Sequence, residues 1–216
     1  MQRNIRIFFS KTGRAKYISH LDMTRCWTRI FNRAGLPMWY TMGFNPHLYM
    51  TFALPLSLGF ESVCESLDTR LVEDVPLEEV KERLNQVLPE GLRVYHVADQ
   101  KMDPKEIAWA DYDVFLECSQ PDEVLTELEA YLNQESILVQ KRTKEGMKDT
   151  ELHGLYQLLE SAAEEEGVRL KLRMASGNVV NINPTLLLDN APVGDRVLQS
   201  SFCRTAVLTK GLEPFA

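Results

Sequence analysis

An apolar stripe between Ser19 and Gly35 predicts an amphipathic helix. The apolar residues recur three or four positions apart, as one face of a helix requires: Met23, Trp27, Ile30, Phe31 and Ala34. Ser19 is a suitable N-cap, and Asp22 places a carboxylate near the positive end of the helix dipole. Gly35 can adopt the left-handed conformation that ends a helix, and Pro37 prevents its continuation. We therefore predict that a helix begins after Ser19 and ends at Gly35.

The rest of residues 1–98 has patterns of strands and of one more helix. Strands are predicted at residues 4–9, 38–42, 50–58, 65–72 and 92–97, and residues 15–18 extend or pair with the first strand. Pro76 opens a second helix that ends near Leu88. In outline the order is strand, helix, two strands, helix, strand. It predicts a ferredoxin-like (βαββαβ) unit with two helices on one face of an antiparallel sheet.

Residues 111–216 repeat this pattern in part, after a mixed-charge segment, residues 99–110, that is predicted to be a linker. The predicted strands are residues 112–118, 137–142, 168–174, 179–182 and 197–208. The predicted helices are residues 121–132, 151–163 and a short run at 186–188, and residues 143–150 form a polar stretch. We predict a second ferredoxin-like α+β unit with an antiparallel sheet. Arg204 in its last strand is expected to face either solvent or the groove between the units.

The composition narrows the class of protein. The chain has 216 residues, of which 44% are hydrophobic and 25% charged, as is typical of soluble globular proteins. The longest weakly polar run, residues 48–60, is too short to span a bilayer. With no apolar signal segment at Met1, we expect a cytoplasmic protein without a membrane partner. The four cysteines are far apart in sequence, so neither a disulfide framework, a metal site nor a cofactor is predicted.

Charge is distributed unevenly along the chain. Residues 1–60 contain eight basic residues and one acidic residue, a net charge of +7, whereas the whole chain carries −7. Residues 61–216 therefore carry −14, which predicts a basic N-terminal domain (1–98) and an acidic C-terminal domain (111–216). Arg25, Arg29 and Arg33 follow one another at intervals of four and share one exposed helix face. Such a row indicates an anion-binding surface, or else an ordinary solvated helix face.

A turn, the helix start and a loop hold the candidate binding residues. The predicted anion-binding or RNA-binding residues are Lys11, Gly13, Arg14, Lys16, Tyr17, His20, Arg25, Arg29, Arg33, Asn45 and His47. If the 43–47 loop folds back over the helix start, both histidines and the basic turn surround one phosphate, with backbone N–H groups completing the site. His20 and His47 are the candidate catalytic residues, although each is also explained as a structural histidine.

Several stretches of the N-terminal region resemble the signature of the radical SAM-linked protein family (DUF2344). They are residues 11–22 (KTGRAKYISHLD), 33–37 (RAGLP), 43–47 (GFNPH), 52–56 (FALPL) and Gly59. Asn183-Pro184 with the following leucines, and Arg204-Thr205, are similar to the family's C-terminal pattern. Two segments depart from it. Leu48-Tyr49 stands where the family often has a proline and a lysine, and residues 150–153 replace an Asp-Leu-Arg-like segment.

The family resemblance implies a partner class and no known reaction. Members of this family are found beside, or fused to, a radical SAM protein, so the resemblance implies a radical SAM partner. The basic segment favours a non-catalytic accessory or substrate-binding protein that binds tRNA or rRNA phosphates. One alternative is a metal-independent ribonuclease of ferredoxin-like fold, with a histidine as general acid or base. The other alternative is a protein-interaction scaffold whose basic face is incidental.

Overall fold

The chain forms two compact units in a computed structural model that describes residues 2–143, 146–178 and 180–216. The first unit runs to Glu106 and also includes Phe215–Ala216, and the second is Ile107–Pro214. Both combine helices with antiparallel strands, which confirms the prediction of a mixed α/β protein. Strand residues outnumber helical ones in the described ranges.

The first unit contains two helices and four strands. Its elements are β1 (Arg3–Lys11), α1 (His20–Arg33), β2 (Met50–Phe52), β3 (Glu61–Leu71), α2 (Leu77–Asn85) and β4 (Leu92–Asp99). The strand order is β4-β1-β3-β2, and the neighbouring strands are antiparallel. Side chains from one face of this sheet pack with the apolar sides of α1 and α2 in a single core.

Helix α1 has the predicted cap, stripe and end. The Ser19 hydroxyl accepts a hydrogen bond from the Asp22 backbone N–H at 3.2 Å and donates one to the Asp22 carboxylate at 2.8 Å. The bond from the hydroxyl to the carboxylate holds the pKa of Asp22 below its usual range, with a further contribution from Arg25. Trp27 and Phe31 are fully buried, and Gly35 takes a positive φ of 62°. Burying the stripe leaves the opposite face, with its arginines, in solvent.

Three of the predicted strands in the first unit are wrong in type or length. Residues 15–17 belong to a short 3₁₀ helix, Gly13–Tyr17, and Ile18 caps its end, so this segment is not a strand. Residues 38–42 form only isolated bridges, at Met38 and Tyr40. The predicted strand 50–58 ends at Phe52, because Pro55 and the following turn take the chain away from β3.

The second unit contains six strands and two helices among its described residues. They are β5 (Ile107–Cys118), α3 (Pro121–Leu132), β6 (Leu138–Thr143), β7 (Gly146–Glu151), β8 (Tyr156–Glu164), β9 (Gly167–Ala175), α4 (Pro184–Leu188) and β10 (Val197–Thr209). The antiparallel order is β10-β5-β9-β8, and β6 pairs with β7 in a separate hairpin. The Asn183 side chain caps α4 by accepting from the Thr185 N–H at 3.0 Å.

Several predictions for the second unit are wrong. The predicted helix 151–163 is instead the end of β7 and most of β8, because pairing with β9 outweighs the helix preference of its Glu, Leu and Ala residues. The described part of the polar stretch 143–150 lies in β6 and β7, and residues 144–145 lie outside the described residues. Residues 180–182 of a predicted strand are irregular, and Val179 lies outside the described residues.

Two smaller predictions about this region also change. The last four residues of the predicted linker, 107–110, begin β5, and its first residue, Asp99, ends β4. Arg204 is only 1% exposed within β10, which excludes the first of the two predicted alternatives, that it faces solvent.

Glu151 fixes the end of β7 to the residues that precede β6. Its carboxylate accepts hydrogen bonds from the Ser136 hydroxyl, from the His153 N–H at 2.9 Å and from the Ile137 N–H at 2.9 Å. These bonds stabilise the ionised form and lower the pKa of Glu151 to about 2. The segment 150–153, which departs from the family's pattern, therefore stabilises the local structure of this chain through Glu151.

Arg6 holds the end of the chain to the first unit. It is fully buried and forms a bidentate pair with Asp68, with distances of 2.7 Å from Nε to Oδ1 and 2.9 Å from Nη2 to Oδ2. The guanidinium also donates to the O atoms of Met102 and Ala216 at 2.8 and 3.0 Å. It lies 4.1 Å from the centre of the Phe215 ring. These contacts compensate the buried charge from every side.

Candidate anion-binding groove

Most of the basic residues that give residues 1–60 their charge are already compensated within the first unit. Five of the eight form ion pairs with acidic side chains or donate to a backbone oxygen: Arg3 with Asp74 and Asp99, Arg6 with Asp68, Lys11 to the Ile18 oxygen, Lys16 with Glu61, and Arg25 with Asp22. The count of +7 therefore overstates the field that an external anion meets. Four of these residues have acidic partners. Those of Arg3, Arg6 and Lys16 lie beyond residue 60, and that of Arg25 lies in the same helix.

Three arginines of this region remain exposed without an acidic partner. In the described part of the chain, Arg14, Arg29 and Arg33 form neither ion pairs nor hydrogen bonds with acidic side chains. Each keeps a full positive charge at the surface. These three residues are the basic groups that the fold leaves available for an anion.

Two of the three arginines line a groove beside α1. Arg25, Arg29 and Arg33 form one wall with Asp22, Cys26 and Ile30, and Val87 and Pro89 from the turn after α2 form the other. The groove encloses about 360 Å³. Its lining combines three arginines and one carboxylate with apolar side chains. Burial raises the pKa of the Cys26 thiol, and the neighbouring Arg29 charge partly opposes that effect.

Arg14 belongs to a turn that packs against the same loop. The Thr12 N–H donates to the Gly91 oxygen at 2.8 Å, and Gly91 is two residues from Pro89 of the groove wall. Gly91 has a φ of 85°, and a Cβ there would collide with the Thr12 oxygen and come within 2.9 Å of the Ala15 Cβ. The 87–91 loop therefore connects the Arg14 turn to the arginine row, and only glycine fits at that contact.

The Gly13 turn does not have a free phosphate cradle. The Gly13 N–H donates to Glu61 Oε1 at 3.1 Å, and the same oxygen lies 3.7 Å from Lys16 Nζ. An internal carboxylate thus accepts from one of the backbone N–H groups that were predicted to hold a phosphate. Tyr17 is 68% exposed, and its ring lies 5.5 Å from Lys16 Nζ.

Lys11 and His20 line a separate, small cavity. Lys11 is 4% exposed, and its Nζ donates to the Ile18 oxygen at 3.0 Å. His20 is exposed and contacts the Phe52 ring edge-on, with ring centres 5.2 Å apart. The cavity holds about 20 Å³ and is lined by Phe9, Lys11, His20, Met23, Phe52, Pro55, Leu56 and Glu65. That volume accommodates roughly one water molecule, so it is not a site for a phosphate ester.

His47 lies in a loop at the other end of α1. Its Nδ1 is 3.0 Å from the Thr41 hydroxyl and 3.3 Å from the Asn45 oxygen. The Tyr40 hydroxyl, next to this loop, donates to Asn32 Oδ1 at 3.0 Å. Asn32 lies twelve residues after His20, which is roughly 18 Å along the helix axis. These contacts anchor the His47 loop near Asn32, whereas His20 begins the helix, and a phosphate shared by the two histidines stays a prediction.

Sequence reasoning missed the groups that shape these sites. Glu61, Gly91 and Pro89 gave no signal because their roles depend on contacts with residues far away in sequence. The exposed ring of Phe44, at 106% of its reference area, could have been noticed as an aromatic residue between Gly43 and Asn45 in a polar loop.

Two further findings concern metals and membranes. Among residues 2–143, 146–178 and 180–216, no three His, Cys, Asp or Glu side chains lie close enough together to hold a metal ion. No helix in these ranges has the length and apolar character needed to cross a membrane.

Comparison with known proteins gives a family for the chain. A family model described as an uncharacterized protein conserved in bacteria (DUF2344) matches residues 4–184. No curated protein matches the sequence. An unknown protein from Galdieria sulphuraria has 9% identity and a TM-score of 0.28, with 82% of this chain and 84% of that chain covered.

A second solved structure is similar over nearly its full length. A CRISPR-associated protein from Thermus thermophilus has 13% identity and a TM-score of 0.25, with 94% of this chain and 99% of that chain covered. TM-scores this low carry no argument about the activity of the present chain or about its detailed fold.

Proposed function

Because the chain belongs to the bacterial family described as an uncharacterized conserved protein (DUF2344), we propose its function from the groove beside α1. We infer a non-catalytic accessory protein that binds RNA phosphates through this groove and presents the RNA to a partner enzyme. The observation that carries the proposal is the set of three exposed arginines, Arg14, Arg29 and Arg33, without acidic partners in the described chain.

The arrangement of the arginines supports a polyanionic ligand. Residues four apart on a helix lie about 6 Å apart along its axis, so Arg25, Arg29 and Arg33 form an evenly spaced row. Like charges at this spacing repel each other by a few tenths of a kcal/mol per pair, and a bound phosphate chain would relieve the repulsion. One small anion could meet only part of the row, whereas successive phosphates of one strand could meet all of it.

The partner and the finer fold are further parts of the proposal. The motifs over residues 11–59 resemble the radical SAM-linked proteins, and we propose that a radical SAM protein in the cytoplasm is the partner enzyme. The strand orders β4-β1-β3-β2 and β10-β5-β9-β8 place the first of the four strands between the third and the fourth in each case. This shared order supports the interpretation of both units as ferredoxin-like, the second with the β6–β7 hairpin inserted.

The test compares two variants with the same change in net charge. In Arg29→Glu/Arg33→Glu, two groove cations are reversed. In the control, Arg93→Glu/Lys105→Glu, two exposed cations away from the groove are reversed. Arg93 lies between the buried Leu92 and Val94 of β4, so its side chain is on the sheet face opposite the helices. Binding to total tRNA and to rRNA fragments is measured at low salt, and the RNA is inspected on a gel.

We expect the RNA affinity of the groove variant to fall at least about tenfold, because phosphate contacts supply most of the affinity. The affinity of the control should change little, and the RNA should stay intact. Equal losses in both variants would show that only net charge matters. Absence of binding by the unaltered chain would favour the scaffold alternative. Cleaved RNA that depends on His20 or His47 would favour the ribonuclease alternative.

A further inference from the structure

A short hairpin arm extends from the first unit at the C-terminal end of α1. Tyr40 pairs with Leu48 in an isolated antiparallel bridge, and Trp39 and Tyr49 meet edge to face with ring centres 5.5 Å apart. The Arg70 guanidinium lies over both rings, 4.7 and 5.1 Å from their centres. These aromatic and cation–π contacts stabilise the base of the arm.

The tip of the arm, residues 41–47, is closed by hydrogen bonds between its first and last residues. The Thr41 N–H donates to the His47 oxygen at 2.8 Å, and the His47 N–H donates to the Thr41 hydroxyl at 3.1 Å. The His47 ring is held by the same hydroxyl. The role of His47 is thus to close the tip, and this closure holds the intervening residues in place.

The side chains at the tip are apolar and face solvent. Phe44 is 106% exposed and Met42 is 89% exposed. Most large apolar side chains are at least partly covered in a folded protein, so an aromatic ring held fully in water on a closed loop suggests a surface that another molecule covers. The chemistry of that molecule follows from what surrounds the tip.

The tip and the groove cations lie at the same end of α1. The hydrogen bond from Tyr40 to Asn32 places the base of the arm against the last turn of the helix, which also carries Arg33. Phe44 is four residues from Tyr40, so an extended strand reaches at most about 14 Å between them. The arm that carries this apolar ring is therefore anchored next to the helix turn that ends in Arg33.

We propose that the tip is a base-stacking element and that the RNA bound by this chain is unpaired where it meets Phe44. The inference rests on the proposed RNA-binding function and adds the class of RNA. A base can stack on an exposed aromatic ring only when its own face is free, as in single strands, loops and ends. In a duplex the base faces are already stacked on their neighbours. An apolar groove on a partner protein could also cover an exposed aromatic ring. The cations at this end of α1 favour a nucleotide instead.

The test measures binding to a single-stranded RNA and to the duplex of the same sequence. The unaltered chain is expected to prefer the single strand. Phe44→Ala should weaken single-strand binding by about fivefold or more, the loss typical of one stacked base, and leave duplex binding unchanged. Phe44→Tyr should retain the affinity, while Phe44→Leu should behave like alanine. Leu58→Ala, which removes another exposed apolar side chain (63%) of the first unit, should have no effect.

The outcomes separate this inference from the proposed function. If the Arg29/Arg33 variant loses RNA and Phe44→Ala does not, the groove remains and the stacking element is wrong. Equal losses for both RNAs, or retention of affinity by the leucine variant, would also overturn the stacking element. If the Arg29/Arg33 variant still binds RNA like its charge-matched control, the proposed function itself fails.

Discussion

Removing the Arg6 side chain should destabilise the first unit strongly. In Arg6→Met, Asp68 is still buried (3% exposed), and the one side-chain hydrogen bond left to it among the described residues is that from Gln100 Nε2 at 2.9 Å. A buried carboxylate that loses its cation typically costs about 3–5 kcal/mol, because its desolvation is no longer compensated. The variant also loses the donors to Met102 and Ala216. We expect a destabilisation within or above that range.

Urea unfolding, followed by circular dichroism and by tryptophan fluorescence, measures this loss. With a urea dependence of about 1–3 kcal/mol per molar, the midpoint of the first unit should fall by at least about 1 M. Arg3→Met is the matched control on the same strand. The Arg3 side chain is 30% exposed and its partners Asp74 and Asp99 are 82% and 54% exposed, so the loss should be about 0–1 kcal/mol.

A compensating second change tests the mechanism of the Arg6 effect. When Asp68→Leu is added to Arg6→Met, the uncompensated charge disappears, and the double variant should be more stable than Arg6→Met alone. The reasoning is refuted if Arg6→Met costs no more than Arg3→Met. It is also refuted if the double variant is less stable than Arg6→Met by as much as the Asp68→Leu change costs on its own.

Three further predictions follow from local contacts. Because a hydroxyl and backbone N–H groups donate to its carboxylate, Glu151 should titrate near pH 2 when followed by carboxyl NMR. Its contribution to stability is complete above about pH 4.5 and is lost as the pH falls towards 2. A titration midpoint near 4.5 would contradict the role of these hydrogen bonds. Gly91→Ala should destabilise the first unit by about 1–3 kcal/mol in the same urea assay, because the new Cβ collides with the Thr12 oxygen and φ is positive there. An unchanged urea midpoint would show that the turn can shift. The pH profile of Cys26 alkylation should have its midpoint above 9.0, and Arg29→Ala should raise it further; a lower midpoint in that variant would remove Arg29 from the thiol's surroundings.

Features that depend on neighbouring residues could be predicted from the sequence. The start and end of α1 follow from Ser19, Asp22 and Gly35, because caps and stop signals act within one helical turn. The apolar stripe identified the buried face, and the same periodicity placed Arg25, Arg29 and Arg33 on the outside. The fold class and most strands followed from similar local patterns.

Features that depend on distant residues could not be predicted. Residues 156–164 favour a helix by composition, and only pairing with β9 makes them a strand. The charge count of residues 1–60 was correct, but it could not show that Arg6 meets Asp68, 62 positions away, or that Arg3 meets Asp99, 96 positions away. The fold therefore reduces a broad basic region to a few available arginines.

The candidate site likewise has one feature that could be predicted from local sequence and one that could not. The arginine row was predicted as a row because helical spacing is local. The proposed meeting of His20 and His47 required the 43–47 loop to fold over the helix start, and nothing in the sequence could place that loop. The Tyr40 hydrogen bond anchors it near Asn32.

The salt dependence of RNA binding tests the groove most directly. For single-stranded RNA, each phosphate contact contributes about 0.7 to the slope of log affinity against log salt concentration. Arg29→Gln/Arg33→Gln should therefore reduce the magnitude of the slope by about 1.4 relative to the unaltered chain, whereas Arg93→Gln/Lys105→Gln should leave it unchanged. An unchanged slope in the groove variant, or an equal reduction in both variants, would contradict the claim that the α1 groove binds RNA phosphates.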